Sequence, residues 1–134
     1  WGGGFWKFYG EPMRAVIQPG FSIVLPRQTE IFVGATVENE TFRGVHLTGL
    51  RDYSVSLSSS PSQLLRFGLN AGTGRRIARN LDIPEVANGR NVHLWAAITP
   101  MPQLVIEPSI SYEQLHQQNG AEIFSGFVAY TRAN

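Results

Sequence analysis

The chain has 134 residues and a formal net charge of +1, with 43% hydrophobic and 16% charged residues. So small a charge excludes long-range electrostatic steering toward nucleic acid or an anionic membrane, and no apolar run reaches the roughly 18 residues of a membrane-spanning helix. Cysteine is absent, which excludes disulfides, thiolate metal sites and cysteine nucleophiles. We therefore expect a single domain with neither nucleic acid nor membrane as a partner.

The first twelve residues form a glycine-spaced aromatic segment. Its aromatic side chains are Trp1, Phe5, Trp6, Phe8 and Tyr9. A large aromatic residue buries about 150–250 Å² when it packs, so this segment is too apolar for a free terminus. We interpret residues 1–12 as an arm that packs on its own sheet or on a neighbouring copy, and residues 13–134 as one β-sandwich domain.

Short apolar or alternating segments follow, separated by glycine and proline. Strands are predicted over 13–17, 21–25 and 30–37. Residues 53–58 alternate most regularly, with Tyr, Val and Leu against three serines, so one face is expected to be buried and the other wet. This spacing of strands and turns indicates an antiparallel all-β domain.

Glycine-containing segments interrupt the middle of the chain. Residues 70–74 are predicted to form a mobile connection, and Asn88-Gly89 is a strong turn signal. A strand is predicted over 92–99, with His93 and Trp95 on one face.

Near the C-terminus, Ser111 to Gln114 has the form of a capping box, and Asn119-Gly120 is a typical helix stop. These signals predict one short helix over 112–118. The segment 121–131 is predicted as a closing strand with apolar residues on both faces, among them Phe124 and Tyr130. Such a strand belongs inside a sheet or between subunits.

Within that strand, the run Ile123-Phe124-Ser125-Gly126-Phe127-Val128 resembles the closing strand of C1q-type heads. The resemblance covers about six residues and implies a jelly roll that assembles as a trimer. It implies no ligand site.

Two groups of residues are candidates for ligand binding. His93 and Trp95 share a strand face and could stack on a sugar or a base. A basic cluster could contact an acidic partner, a carboxylated sugar or a phosphate, or could be a solvated edge balanced by Asp82 and Glu85. Its members are Arg75, Arg76, Arg79 and Arg90.

No catalytic pattern is present in the sequence. The histidines lack zinc spacing, no serine lies in a nucleophile elbow, and the carboxylates are evenly spread. We predict no catalytic residues, no metal and no cofactor. Asn39 begins a glycosylation acceptor pattern, whose use the sequence does not decide.

These features predict a single antiparallel β-sandwich, jelly-roll-like, with at most one short helix. The predicted function is a non-enzymatic structural or attachment domain of a multi-subunit assembly, acting through contacts with copies of itself and other subunits. A viral or phage virion component, such as a capsid, decoration or fibre head, fits best, which implies a virion or extracellular location. The alternative is a carbohydrate-binding module that uses exposed aromatics with Arg and Asn to bind a glycan or host receptor.

Overall fold

The computed structural model describes residues 2–6, 12–79 and 81–134, with side chains from residue 14 onward. The described residues form strands without helices, and every strand pairing is antiparallel. This confirms the predicted fold class. The strands are β1 (Gly2–Trp6), β2 (Pro12–Ile17), β3 (Gly20–Leu25), β4 (Thr29–Phe42), β5 (Val45–Ser62), β6 (Leu65–Ala78), β7 (Glu85–Met101), β8 (Leu104–His116) and β9 (Glu122–Ala133).

The nine strands belong to one sheet with the order β1-β2-β4-β5-β6-β7-β8-β9, and β3 pairs with β4. Strands β2 and β3 follow one another along the same edge of β4. From β3 onward each strand pairs with the next in sequence, so the connectivity is a meander. A jelly roll is built from Greek keys instead, so the finer jelly-roll expectation differs from the connectivity observed here.

The helix predicted over 112–118 is wrong. Residues up to His116 belong to β8, where Tyr112 pairs with Val92 on one side and Phe127 on the other. Of the two helix signals, only the predicted stop at Asn119-Gly120 has a structural role: Gly120 adopts φ +90° in the turn before β9. Two neighbouring strands therefore override a local capping signal, since pairing on both sides satisfies the backbone groups that a cap would otherwise serve.

The connection predicted over 70–74 and the turn predicted at Asn88-Gly89 are also wrong. Both segments lie inside strands, because β6 and β7 pair without interruption from Leu65↔Ile98 to Ala78↔Glu85. Glycine in a strand marks a close approach of other groups. Here the glycines leave room for side chains of the neighbouring strand, as described below.

The pairing register sorts the strand residues onto two faces, because directly opposed residues of antiparallel strands point to the same side. We call these the apolar face and the polar face. One row across the apolar face reads Phe21, Val33, Val55, Ala71, Val92, Tyr112 and Phe127. The adjacent row on the polar face reads Ser22, Phe32, Ser56, Asn70, His93, Ser111 and Val128.

The apolar face is the more exposed of the two. Tyr53 and Val55 are 55% and 38% exposed, whereas the intervening Ser54 and the following Ser56 are half-buried. The alternation predicted for this segment is confirmed, but the polar side is the more buried one. The large exposed side chains of the apolar face are Ile17, Phe21, Ile23, Leu25, Val33, Val37, Tyr53, Val55, Phe67, Val92, Leu94, Ile98, Met101, Ile110, Tyr112 and Phe127.

The small buried core lies on the polar face. Its hydrophobic members are Val16, Leu47, Leu50, Ala78 and Ala87. This exposure pattern indicates that the sheet coils toward its polar face, which makes the apolar face convex. The accessible surface is 9113 Å², whereas a compact monomer of 14.8 kDa exposes about 7,000 Å².

The two ends of the sheet differ. We call the end with the connections after β4, β6 and β8 the charged end, and the end with the connections after β3, β5 and β7 the hairpin end. Among strand residues with described side chains, the charged ones on the apolar face all lie toward the charged end. They are Arg51, Arg75, Arg90 and Glu122.

Candidate functional site

A cleft of about 310 Å³ lies near the charged end and is lined mainly by polar-face residues. At its centre is Arg76 of β6, whose Nε donates to Asp52 Oδ1 at 2.8 Å. The same guanidinium donates to Asn91 Oδ1 and lies 4.0 Å from Glu113 Oε1. Strands β5, β7 and β8 thus each supply one partner to a single arginine.

Glycines at two positions, Gly72 and Gly89, leave room for the Arg76 side chain. A Cβ at Gly72 would lie 3.0 Å from the guanidinium Nη2 and 2.8 Å from Asn91 Oδ1, and one at Gly89 would lie 2.9 Å from Arg76 Cδ. At Gly74, opposite Asp52, a Cβ would collide with the backbone of Arg51. These close approaches explain why β6 and β7 contain glycines that resemble turn signals.

Two further ion pairs line the cleft. Arg14 holds Glu38 in a two-point contact, with Nε–Oε1 at 2.6 Å and Nη2–Oε2 at 3.2 Å. The hydrogen bond that Arg14 donates to Glu38 raises the pKa of the Arg14 guanidinium, so this group stays charged at any physiological pH. Arg79 contacts Glu40 at 2.8 Å and places its guanidinium 4.5 Å from the centre of the Phe42 ring.

Five arginines and three carboxylates line the cleft. Arg14, Arg76 and Arg79 are each paired with one of these carboxylates, so Arg51 and Arg75 leave the lining with an excess of positive charge. General acid–base catalysis needs a group that is free to exchange a proton with a substrate, whereas each of the three carboxylates of the cleft is held by an arginine. In the described part of the chain, no group of three or more His, Asp or Glu could hold a metal ion. The arrangement is suited to fixing neighbouring strands together.

The structure divides the predicted basic cluster between the two faces. By register Arg76 lies on the polar face and Arg75 and Arg90 lie on the apolar face, while Arg79 follows the end of β6. Arg75, Arg76 and Arg79 nevertheless all line the cleft, so three of the four arginines come together there and Arg90 does not.

His93 and Trp95 lie on the same face of β7, as predicted. His93 Nδ1 is hydrogen-bonded to Ser111 Oγ at 2.7 Å. The Trp95 indole lies over Gly68 of the neighbouring strand, where a Cβ would come within 2.6 Å of it. Both side chains also line a cleft of about 300 Å³ together with Tyr130 and Arg132.

The predicted interface aromatics are only partly described. Trp1, Phe8 and Tyr9 lie outside the described residues, and Phe5 and Trp6 belong to β1, where the backbone pairs with β2. Phe124 and Tyr130 lie on the polar face of the edge strand β9 and are 47% and 59% exposed. Their exposure at a sheet edge leaves the interface prediction open.

The largest feature that the sequence analysis missed is the convex apolar face. Its signal is present in the period-two alternation of β5 and β7, but alternation alone does not tell which face is covered by the rest of the protein. The register supplies that information, because it aligns the apolar positions of neighbouring strands into one continuous surface.

No family model, no curated protein and no solved structure matches this chain. No helix in the described ranges is long and apolar enough to cross a membrane. The six-residue resemblance to C1q-type heads thus has no support from a family match.

Proposed function

We propose that this chain is a non-enzymatic structural domain that works with its apolar face covered by other molecules. The observation that supports the proposal is the inverted exposure of the sheet, in which the apolar side chains are on the more exposed face. Contiguous apolar patches larger than a few hundred Å² mark interaction sites. The surface in excess of a compact monomer is about 2,000 Å² by the size scaling of monomeric proteins.

The size of this surface makes the covered state strongly favourable. Each 100 Å² of apolar surface that a partner covers contributes about 2.5 kcal/mol, at about 25 cal/mol per Å². The large exposed side chains of the apolar face are each at least 37% exposed, so covering several of them together stabilises the covered state by an amount comparable to the free energy of unfolding of a typical domain, about 5–15 kcal/mol. A bare apolar face in water is therefore not a plausible working state.

A structural role agrees with the sequence-based hypothesis of a domain in a multi-subunit assembly. The assignment to a virion or to an extracellular location stays a prediction from the sequence. So does carbohydrate binding, which the geometry favours less because Trp95 already covers Gly68. The paired charges of the cleft support a structural use over a catalytic one.

The proposal is tested by making the apolar face polar. The triple substitution Val55→Thr, Leu94→Thr and Ile110→Thr removes exposed apolar groups from three strands while keeping residues that favour strands. In detergent-free buffer we expect the wild-type chain to sediment as large assemblies and the triple variant to shift toward monomer, with its far-ultraviolet circular dichroism unchanged.

A matched control substitutes a buried residue. Leu50 lies in the small core on the polar face, so Leu50→Thr should lower the free energy of unfolding by about 2–4 kcal/mol without reducing assembly. A wild-type chain that sediments as a monodisperse monomer at micromolar concentration would overturn the proposal.

A further inference from the structure

We infer that the partner of the apolar face is the hydrocarbon region of a lipid bilayer. The inference rests on the proposed function and names the molecules that cover the face. It replaces the expectation that the chain has no membrane partner, which relied on net charge and on the absence of a long apolar run. In strands that alternate, apolar residues are spaced by two, so a lipid-facing strand contains no such run.

The dimensions of the face support this partner. On β7 the apolar-face positions run from Val92 to Met101, directly opposite Tyr112 to Leu104 of β8. At about 3.3 Å per residue this length is about 30 Å, and strands tilted by 35–45° would then cover an apolar band of about 21–25 Å, close to the roughly 25 Å expected. This is the height of the lipid-facing band in membrane proteins built from strands.

The distribution of charge supports it as well. Between the charged end and the hairpin end, the apolar face carries no charged side chain among the described strand residues. Two tyrosines lie at the border of this region. Tyr53 is in the same row of paired residues as Arg90, with one residue of β6 between them, and Tyr112 is in the next row of the apolar face. Tyrosine prefers the level of the headgroups, and arginine there contacts phosphate.

The curvature of the sheet favours lipid over a second copy of the chain. Exposed apolar side chains extend from β3 at one edge to β9 at the other. Two convex faces can touch only along a strip, which would leave most of this width in water. Fluid acyl chains conform to the whole surface.

The backbone hydrogen-bonding groups and the ion pairs of the described strands find their partners within the sheet. Its strands satisfy one another's backbone groups through the pairings, and the polar face holds the ion pairs away from the apolar surface. Unpaired backbone groups are costly in hydrocarbon. The outer edges of β1, β3 and β9 therefore have to pair with strands beyond this sheet, such as those of a second copy.

The test places a fluorophore on each face of one strand. The chain has no cysteine, so Val55→Cys and Ser56→Cys each give a unique site for an environment-sensitive NBD label on adjacent residues of opposite faces. The labelled chains are refolded from urea into vesicles of dilauroyl phosphatidylcholine, with and without doxyl-labelled acyl chains.

We expect doxyl lipid to quench the label at position 55 about twofold more than the label at position 56. Ile110→Cys places a second label on another strand of the apolar face. It should be quenched as strongly as the label at position 55, and it replaces that label if Val55→Cys folds poorly. Equal quenching on the two faces overturns the inference.

The failure of the inference can be told apart from the failure of the proposed function. If the chain does not enter vesicles, but the label at position 55 is shielded from aqueous iodide in its assemblies, the face is covered by protein and only the lipid assignment is wrong. If that label is open to iodide in a monomer, both proposals fail.

Discussion

At the scale of single residues, Arg76 joins four strands through its side chain. It extends from β6 and reaches Asp52 on β5, Asn91 on β7 and Glu113 on β8. Glycines at positions 72 and 89 make this reach possible. An arginine is suited to the role because its planar guanidinium offers several donors in fixed directions.

Replacing Arg76 tests how much this contact stabilises the sheet. Arg76→Met keeps most of the side-chain volume but leaves Asp52 and Asn91 without their donor. Because both partners of the ion pair are about a third exposed, we expect a modest loss of about 1 kcal/mol in the free energy of unfolding. Urea unfolding followed by tryptophan fluorescence in detergent micelles measures it.

The control for this prediction is Arg66→Met, which changes an exposed arginine on the same strand. It should leave the urea midpoint unchanged. Equal losses in the two variants would mean that the contacts of Arg76 are not what stabilises the sheet.

The cleft could not be predicted from the sequence, although all its residues are visible there. Arg76 is 24 residues from Asp52 and 15 from Asn91 along the chain. Only the strand register brings them together, and a one-residue slip would move each side chain to the other face. Arg75 and Arg79, the sequence neighbours of Arg76 in the predicted basic cluster, also line the cleft, whereas Arg90 does not.

At the scale of the strands, local signals identified where strands exist better than where they end. The predicted strands 13–17 and 21–25 agree with β2 and β3 to within one residue at each end. The interruptions predicted at Gly72, Gly74 and Gly89 instead lie inside the long strands β6 and β7. Glycine has no side chain of its own to indicate what lies over it, so a glycine in a turn and a glycine beneath an arginine look alike in the sequence.

Position in the sheet should determine how fast backbone amides exchange. Strand β6 is paired on both sides, whereas β9 is paired only with β8. We expect amides of β9 to exchange faster than those of β6, because opening an edge strand breaks one set of hydrogen bonds instead of two. Hydrogen–deuterium exchange with mass spectrometry in detergent micelles compares the two segments.

The peptide that spans β8 is the internal standard for this comparison, since both its sides are paired. It should follow β6. If β9 is protected as strongly as β6 and β8, then the sheet does not end at β9 and another strand is paired with it.

At the scale of the whole molecule, the inversion of the two faces is the result that the sequence could least predict. Alternation in β5 and β7 indicated two faces of different polarity, and that indication is confirmed. Which face is covered depends on how the whole sheet coils, and coiling is a property of all its strands together. The usual expectation that apolar residues are inside fails here because, among the residues with described side chains, only a few hydrophobic groups are buried.

The difference between the two ends has a consequence for how the chain would enter a bilayer. Charged side chains are costly to carry through hydrocarbon. The hairpin end has Arg27 in its connections, whereas the charged end has Arg43, Arg79 and Asp82 beside the arginines of the apolar face. Insertion should therefore be vectorial, with the hairpin end crossing and the charged end staying on the side of addition.

Protease accessibility reports this orientation. Trypsin added outside vesicles that received the chain from outside should cleave after Arg43 and Arg79 and spare Arg27, as read by mass spectrometry of the fragments. In vesicles opened with detergent, Arg27 should be cleaved too. Equal cleavage at the two ends in closed vesicles would mean that the molecule inserts in both directions. The charge difference between its ends would then not determine its orientation in the bilayer.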